Sequence, residues 1–146
     1  MSVYDDIRSA LEVRLFDTPN VPPIEAENVD YEPVTGQAFI KIQLVPASRR
    51  PATRGRSSAT GKPYQHRYQG AFIMLIHAPT DEGAGYTDDL VEKLVDTFEA
   101  STDIEFTNDD GKTVYVTVHY VERNRSYQEK PWYKTPVTVS WYCYDN

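Results

Sequence analysis

The sequence predicts a single α+β domain over residues 1–146. Three observations carry that expectation. Two segments repeat apolar residues at helical spacing. Four to five others alternate, or run continuously apolar, as strands do. The order is helix, strand, strand, helix, then two or three strands. Consecutive strands joined through loops imply a mixed or antiparallel sheet with both helices on one face. A chain of 146 residues, 40% of them hydrophobic, can fill one core.

Ser2 to Phe16 reads as the first helix. Val3, Ile7, Leu11 and Leu15 line one face, while Asp5, Asp6, Arg8 and Glu12 fall mostly on others. Ser2 with Asp5 has the spacing of a capping box. Pro19, Pro22 and Pro23 end the helix, and an irregular link follows to a turn at Gly36. Gln37 to Val45 alternates as a strand, closed by Pro46. Ala47 to Gln65 has no apolar period and is too long for an ordinary turn. Residues 47–66 are therefore expected to form an extended basic hairpin arm. Arg67 to His77 is the next strand, and Ala71 to Ile76 is apolar on both faces, as in a central strand.

Pro79 to Gly85 reads as a loop and Thr87 to Glu99 as the second helix. Leu90, Leu94 and Phe98, joined by Val91 and Val95, form its apolar face, with Asp88 and Asp89 in the first turn. Asp103 to Thr107 suits a short strand, and Asn108-Asp-Asp-Gly111 a tight turn. Lys112 to Val121 sets Val114, Val116, Val118 and Tyr120 on one face of a strand. Glu122 to Pro131 reads as a polar loop. Thr135 to Tyr144 closes the sheet, with Val137, Val139, Trp141 and Cys143 on one side.

Charge is distributed unevenly. Pro33 to Thr80 holds no acid and seven bases, namely Lys41, Arg49, Arg50, Arg54, Arg56, Lys62 and Arg67. A +7 segment thus lies within a −14 remainder, for a net charge of −7. Such asymmetry marks an electrostatic contact surface. Arginine forks suit carboxylate or phosphate. An acidic body repels a nucleic-acid duplex, and the arm holds few rings for base stacking. Contact with an acidic protein surface is therefore favoured over a solvated loop, and both over nucleic acid. Eleven tyrosines and two tryptophans exceed what this core needs, so some are expected to face a partner.

Catalytic and metal signals are weak. Gly55 to Pro63 has five residues between its glycines instead of the four of a phosphate loop, and Pro63 stands where a hydroxyl residue should bind magnesium. His66, His77 and His119 lack ligand spacing and read as polar residues of a sheet. The lone Cys143 reads as a buried structural thiol. Asp88-Asp89 and Asp109-Asp110 have structural explanations. No enzyme activity, cofactor or metal is expected. The N-terminus lacks the pattern of a signal peptide, and no run approaches the roughly 18 apolar residues of a membrane span.

Three stretches carry a resemblance. Glu27-Asn-Val-Asp-Tyr-Glu-Pro33 followed by Gly36-Gln-Ala-Phe-Ile-Lys-Ile-Gln-Leu-Val-Pro-Ala47 resembles the first-strand region of tail terminator proteins of long-tailed bacteriophages. Gly70-Ala-Phe-Ile-Met-Leu-Ile-His-Ala-Pro79 and the helix ending at Phe98 continue it in order. Pro131-Trp-Tyr-Lys-Thr-Pro-Val-Thr-Val-Ser-Trp141 is similar to the family's closing strand.

The resemblance implies a structural protein of the virion tail, assembled in the host cytoplasm. It implies a six-membered ring that caps the tail tube at its head-proximal end and receives the head-side connector. The implied partners are further copies of the chain, the major tail tube protein and the connector, with DNA passing through the lumen without specific binding. The expected subunit or tube contacts are Arg49, Arg50, Arg54, Arg56, Lys62 and Arg67. Another neck component, or a nucleic-acid-binding module using the arm, are the alternatives.

Overall fold

The computed structural model describes residues 2–27, 32–34, 36–51, 66–80, 84–99 and 103–144, with only the backbone of Arg50 and Pro51. They form one α+β domain. Its elements are α1 (Val3–Phe16), β1 (Ile24–Glu25), β2 (Phe39–Pro51), β3 (His66–Pro79), α2 (Ala84–Thr97), β4 (Asp103–Thr107), β5 (Thr113–Arg123), β6 (Tyr127–Glu129) and β7 (Trp132–Tyr144). The strands make one seven-stranded sheet in the order β1-β2-β3-β7-β5-β4, with β6 on β7. Every pairing is antiparallel except β1 with β2, so the sheet is mixed.

The capping box at α1 forms as its sequence specifies. Asp5 N–H donates to Ser2 Oγ at 3.2 Å, and Ser2 N–H donates to Asp5 Oδ2 at 3.3 Å. These bonds from Ser2 hold the Asp5 carboxyl below its ordinary range. Ile7, Leu11 and Leu15 are wholly buried, each contributing about 1.5–3 kcal/mol of burial. Leu90, Leu94 and Phe98 join them against Phe72, Met74, Ile76, Val116, Val118, Val137, Val139 and Trp141. Both helices thus cover one face of the sheet, here called the inner face.

Asp6, expected on a polar face, is buried instead. Its Oδ2 accepts a bond from Asn108 Nδ2 at 3.1 Å. Asn108 Oδ1 in turn accepts from the backbones of Asp110 and Lys112, so one side chain joins α1 to the β4–β5 turn. Gly111 supplies the positive φ of 80° that closes this turn.

Several expectations need correction. The sheet has seven strands, not four or five. The link after Pro23 contains β1, and the polar loop before Pro131 contains β6. Strands of two and three residues hold too few side chains to show alternation. β2 does not stop at Pro46 but continues to Pro51, and the ladder with β3 reaches Pro51↔His66. Proline is tolerated there because β1 pairs β2 only at Ile40 and Lys41, leaving the strand an edge beyond them. Much of the supposed arm's base is therefore sheet, while 52–65 lie outside the described residues.

The second helix begins by Ala84, not Thr87, which moves Asp88 and Asp89 out of its first turn. β5 slips register between Val118 and Tyr120, so Tyr120 leaves the core face and Val121 packs against the core instead. β3 is central, between β2 and β7. Its inner-face residues are buried, whereas Ala71, Ile73 and Leu75 on the outer face are only half-buried.

Candidate assembly interface

The β2–β3 hairpin carries the described arginines of the basic segment. Between Pro46 and Ser48 the register shifts, which reverses the facing of every later β2 residue. Arg49 consequently pairs with Tyr68 rather than joining Lys41 and Gln43 on the outer face. Its guanidinium carbon lies 5.6 Å from the Tyr68 ring centre, and Nη2 lies 3.4 Å from His66 Nδ1. Tyr68 is buried and meets the Tyr4 ring edge-on at 5.4 Å, which ties the hairpin to α1.

Arg67 projects from the outer face. Its guanidinium carbon sits 4.6 Å from the ring centre of Tyr142 on β7. Its buried Nε has no hydrogen-bond partner among the described residues. The ladder sets Arg50 opposite Arg67 on β2 and Tyr144 opposite it on β7. Of the six expected contacts, Arg49 and Arg67 are described in full and Arg50 by its backbone. Arg54, Arg56 and Lys62 lie outside the described residues.

The outer face continues the pattern. Tyr115, Tyr120 and Tyr144 are 52%, 47% and 44% exposed. A shallow groove of about 360 Å³ runs past Arg67, Gln69, His119, Tyr120, Ser140 and Tyr142. His119 sits in the β5 bulge, edge-on to Tyr120 at 5.2 Å. Half-exposed rings beside an arginine are what protein interfaces select. Tyr115 and Tyr144 reach this face by simple alternation, whereas Tyr120 reaches it only through the β5 bulge.

The two sides of the sheet differ in charge. The β2–β3 hairpin presents Lys41, Arg49 and Arg67, with Glu25 and Glu27 beside its β1 edge. The β4 side presents exposed Asp103, Glu105, Asp109 and Asp110, against Lys112. The β2 edge is also guarded: Leu44 N–H donates to Glu27 Oε2 at 3.1 Å, and Glu27 pairs with Arg8 at 3.2 Å. Among the described residues, β4 pairs on one side only, with β5.

The remaining candidates are structural. Cys143 is buried at period two with Trp141 and Val139, as expected. His77 is not a surface residue: it is buried, stacks on Phe39 at 4.2 Å, and its Nδ1–H donates to the Leu75 carbonyl at 3.1 Å. Burial, first of all, pushes its pKa below the usual histidine value. Among the described residues no group of three or more His, Cys, Asp or Glu is gathered for a metal. No described helix is long and apolar enough to cross a membrane.

Comparison with known proteins gives two findings. Residues 6–141 match a family model described as phage tail terminator protein. A solved structure is similar over 100% of this chain and 98% of its own, with a TM-score of 0.72 and 18% identity. At that identity the likeness shows the fold alone. No curated protein matches the chain.

Proposed function

Because the chain belongs to the phage tail terminator family, a structural and not an enzymatic family of the virion tail, we propose that it caps the tail tube as a ring. In this reading the ring is a hexamer. It ends tube elongation at the head-proximal end and offers the surface on which the head-side connector docks. DNA passes through its lumen, where an acidic lining would prevent the phosphate neutralisation that makes binding tight.

The observation that carries this reading is the family match over residues 6–141. The charge pattern supports it physically. A ring needs a head-to-tail contact between two different patches of the same chain. Basic residues on β2 and β3 and acidic residues on β4, apart in the strand order, are two patches suited to such a contact. The basic segment has three possible uses: the neighbouring subunit, the tube protein below, or the connector above.

Mass measurement in solution, coupled with negative-stain imaging, tests the proposal. Rings are expected, either free or formed from monomers on tube ends. A chain that stays monomeric and never localises to tube tips would contradict it. DNA affinity lost on replacing Arg49, Arg50, Arg54 and Arg56, with assembly intact, would favour the nucleic-acid alternative.

A further inference from the structure

We propose that the ring closes by seating the β2–β3 hairpin of one subunit against the β4–β5 edge of the next. The inference rests on the ring reading above and adds to it the two surfaces that meet.

Topology comes first. In the order β1-β2-β3-β7-β5-β4 the basic hairpin and the acidic strand β4 are separated by β7 and β5, so they form two distinct patches of the subunit. Two complementary patches so placed join head to tail, and repetition of one such contact builds a ring when the rotation closes. A contact of one patch with itself would stop at a dimer.

Charge comes second. β4 and its turn carry Asp103, Glu105, Asp109 and Asp110, all exposed, against one base, Lys112. The hairpin carries Arg49 and Arg67 with no acid anywhere from Pro33 to Thr80. Arg49 lies over the Tyr68 ring on one face of the hairpin and Arg67 over the Tyr142 ring on the other, so the hairpin presents a guanidinium to both sides of an edge that it meets. Tyr115, paired with Glu105 in the ladder, offers a further exposed ring beside a carboxylate on the receiving side.

Edge geometry comes third. β4 has its outer edge unpaired among the described residues, whereas the β2 edge is occupied near Leu44 by Glu27. The β2–β3 ladder also runs one pair past Arg67↔Tyr144, its last described pairing with β7.

α2 is the rival acceptor, since Glu92 and Asp96 are also exposed. Its surface offers no open strand edge, and Lys93 lies among its acids.

Charge exchange in the full chain decides the matter. Asp103→Lys with Glu105→Lys reverses one patch, and Arg49→Glu with Arg67→Glu reverses the other. Each pair alone is expected to raise the protein concentration for half-assembly about tenfold, and the combined variant to recover it. Circular dichroism checks that each variant is folded. Should Arg67→Glu unfold the chain, Glu105→Lys against Arg49→Glu repeats the test.

Normal assembly of the β4 variant, or failure of the combined variant to recover, overturns the inference and leaves the ring reading standing. Loss of rings with Glu92→Lys and Asp96→Lys, but not with the β4 pair, overturns it in favour of α2. A wild-type chain that forms no ring, alone or on tubes, defeats the ring reading itself.

Discussion

Gly70→Ala adds one methyl group at the base of the hairpin, and the site has no room for it. A Cβ at residue 70 would collide with the Val45 carbonyl oxygen and lie 2.9 Å from Trp141 Cζ2 and 3.1 Å from the Ala47 backbone nitrogen. Two of these neighbours are backbone atoms of β2 at the register shift, and the third belongs to a fully buried tryptophan. None is the flexible end of a side chain. Relief therefore requires β2 to move away from β3. Overpacking of this kind costs about 1–3 kcal/mol, and a lost ladder bond adds about 1 kcal/mol. A loss of about 3 kcal/mol lowers Tm by about 9 °C in a domain of this size. Gly85 is the internal control: it lies in α2 with nothing within 4 Å of its added Cβ. Gly85→Ala should hold or raise Tm, because glycine within a helix costs about 0.5–1 kcal/mol against alanine. Thermal unfolding by circular dichroism, at one protein concentration for all variants, reads both. A Gly70→Ala protein that melts within about 2 °C of wild type would refute the packing described at the hairpin base.

Two further predictions concern stability. Leu94 and Phe98 are wholly buried, and the Phe98 ring lies 6.1 Å from that of Phe72. Leu94→Ala and Phe98→Ala should each cost about 2–5 kcal/mol in urea unfolding, and near-wild-type midpoints would mean α2 does not pack this way. His77 predicts a pH dependence. Its folded pKa is lowered, chiefly by burial with Lys134 and Lys41 adding to it, so below about pH 6.5 the unfolded chain binds the proton more readily. Stability should be level above that point and fall as pH drops through it. Urea unfolding at pH 7.5 and pH 5.5 should show this fall in wild type and a smaller one in His77→Phe. Equal slopes would assign the effect to other groups.

Much of this fold was legible because its signals are local. The Ser2–Asp5 box, the Leu90-Leu94-Phe98 stripe and the Val137-Val139-Trp141-Cys143 alternation each lie within one element. The misreadings were places where a neighbouring strand decided the outcome. Pro46 ends a central strand but not an edge, and only the sheet order makes β2 an edge there. Tyr120 obeys the alternation on paper, but the bulge before it turns it outward. Asp6 is buried because Asn108, far along the chain, meets it.

The candidate interface was legible in composition and not in geometry. The acid-free stretch covers β2 and β3. The slip after Pro46 is what sends Arg49 to Tyr68 while Arg67 meets Tyr142 across the sheet. No spacing rule announces that slip. The proposed acidic counterpart was hidden for a different reason: the four carboxylates of β4 and its turn are ordinary strand and turn residues until the sheet order sets them on an edge strand away from the arginines.

The most direct measurement of capping adds the purified protein to polymerising tail tube protein and images the tubes. A ring is expected at one end only of each tube, with tube length that stops increasing once rings are seated. Bare tube ends, or tubes that lengthen at the same rate with the protein present, would contradict it.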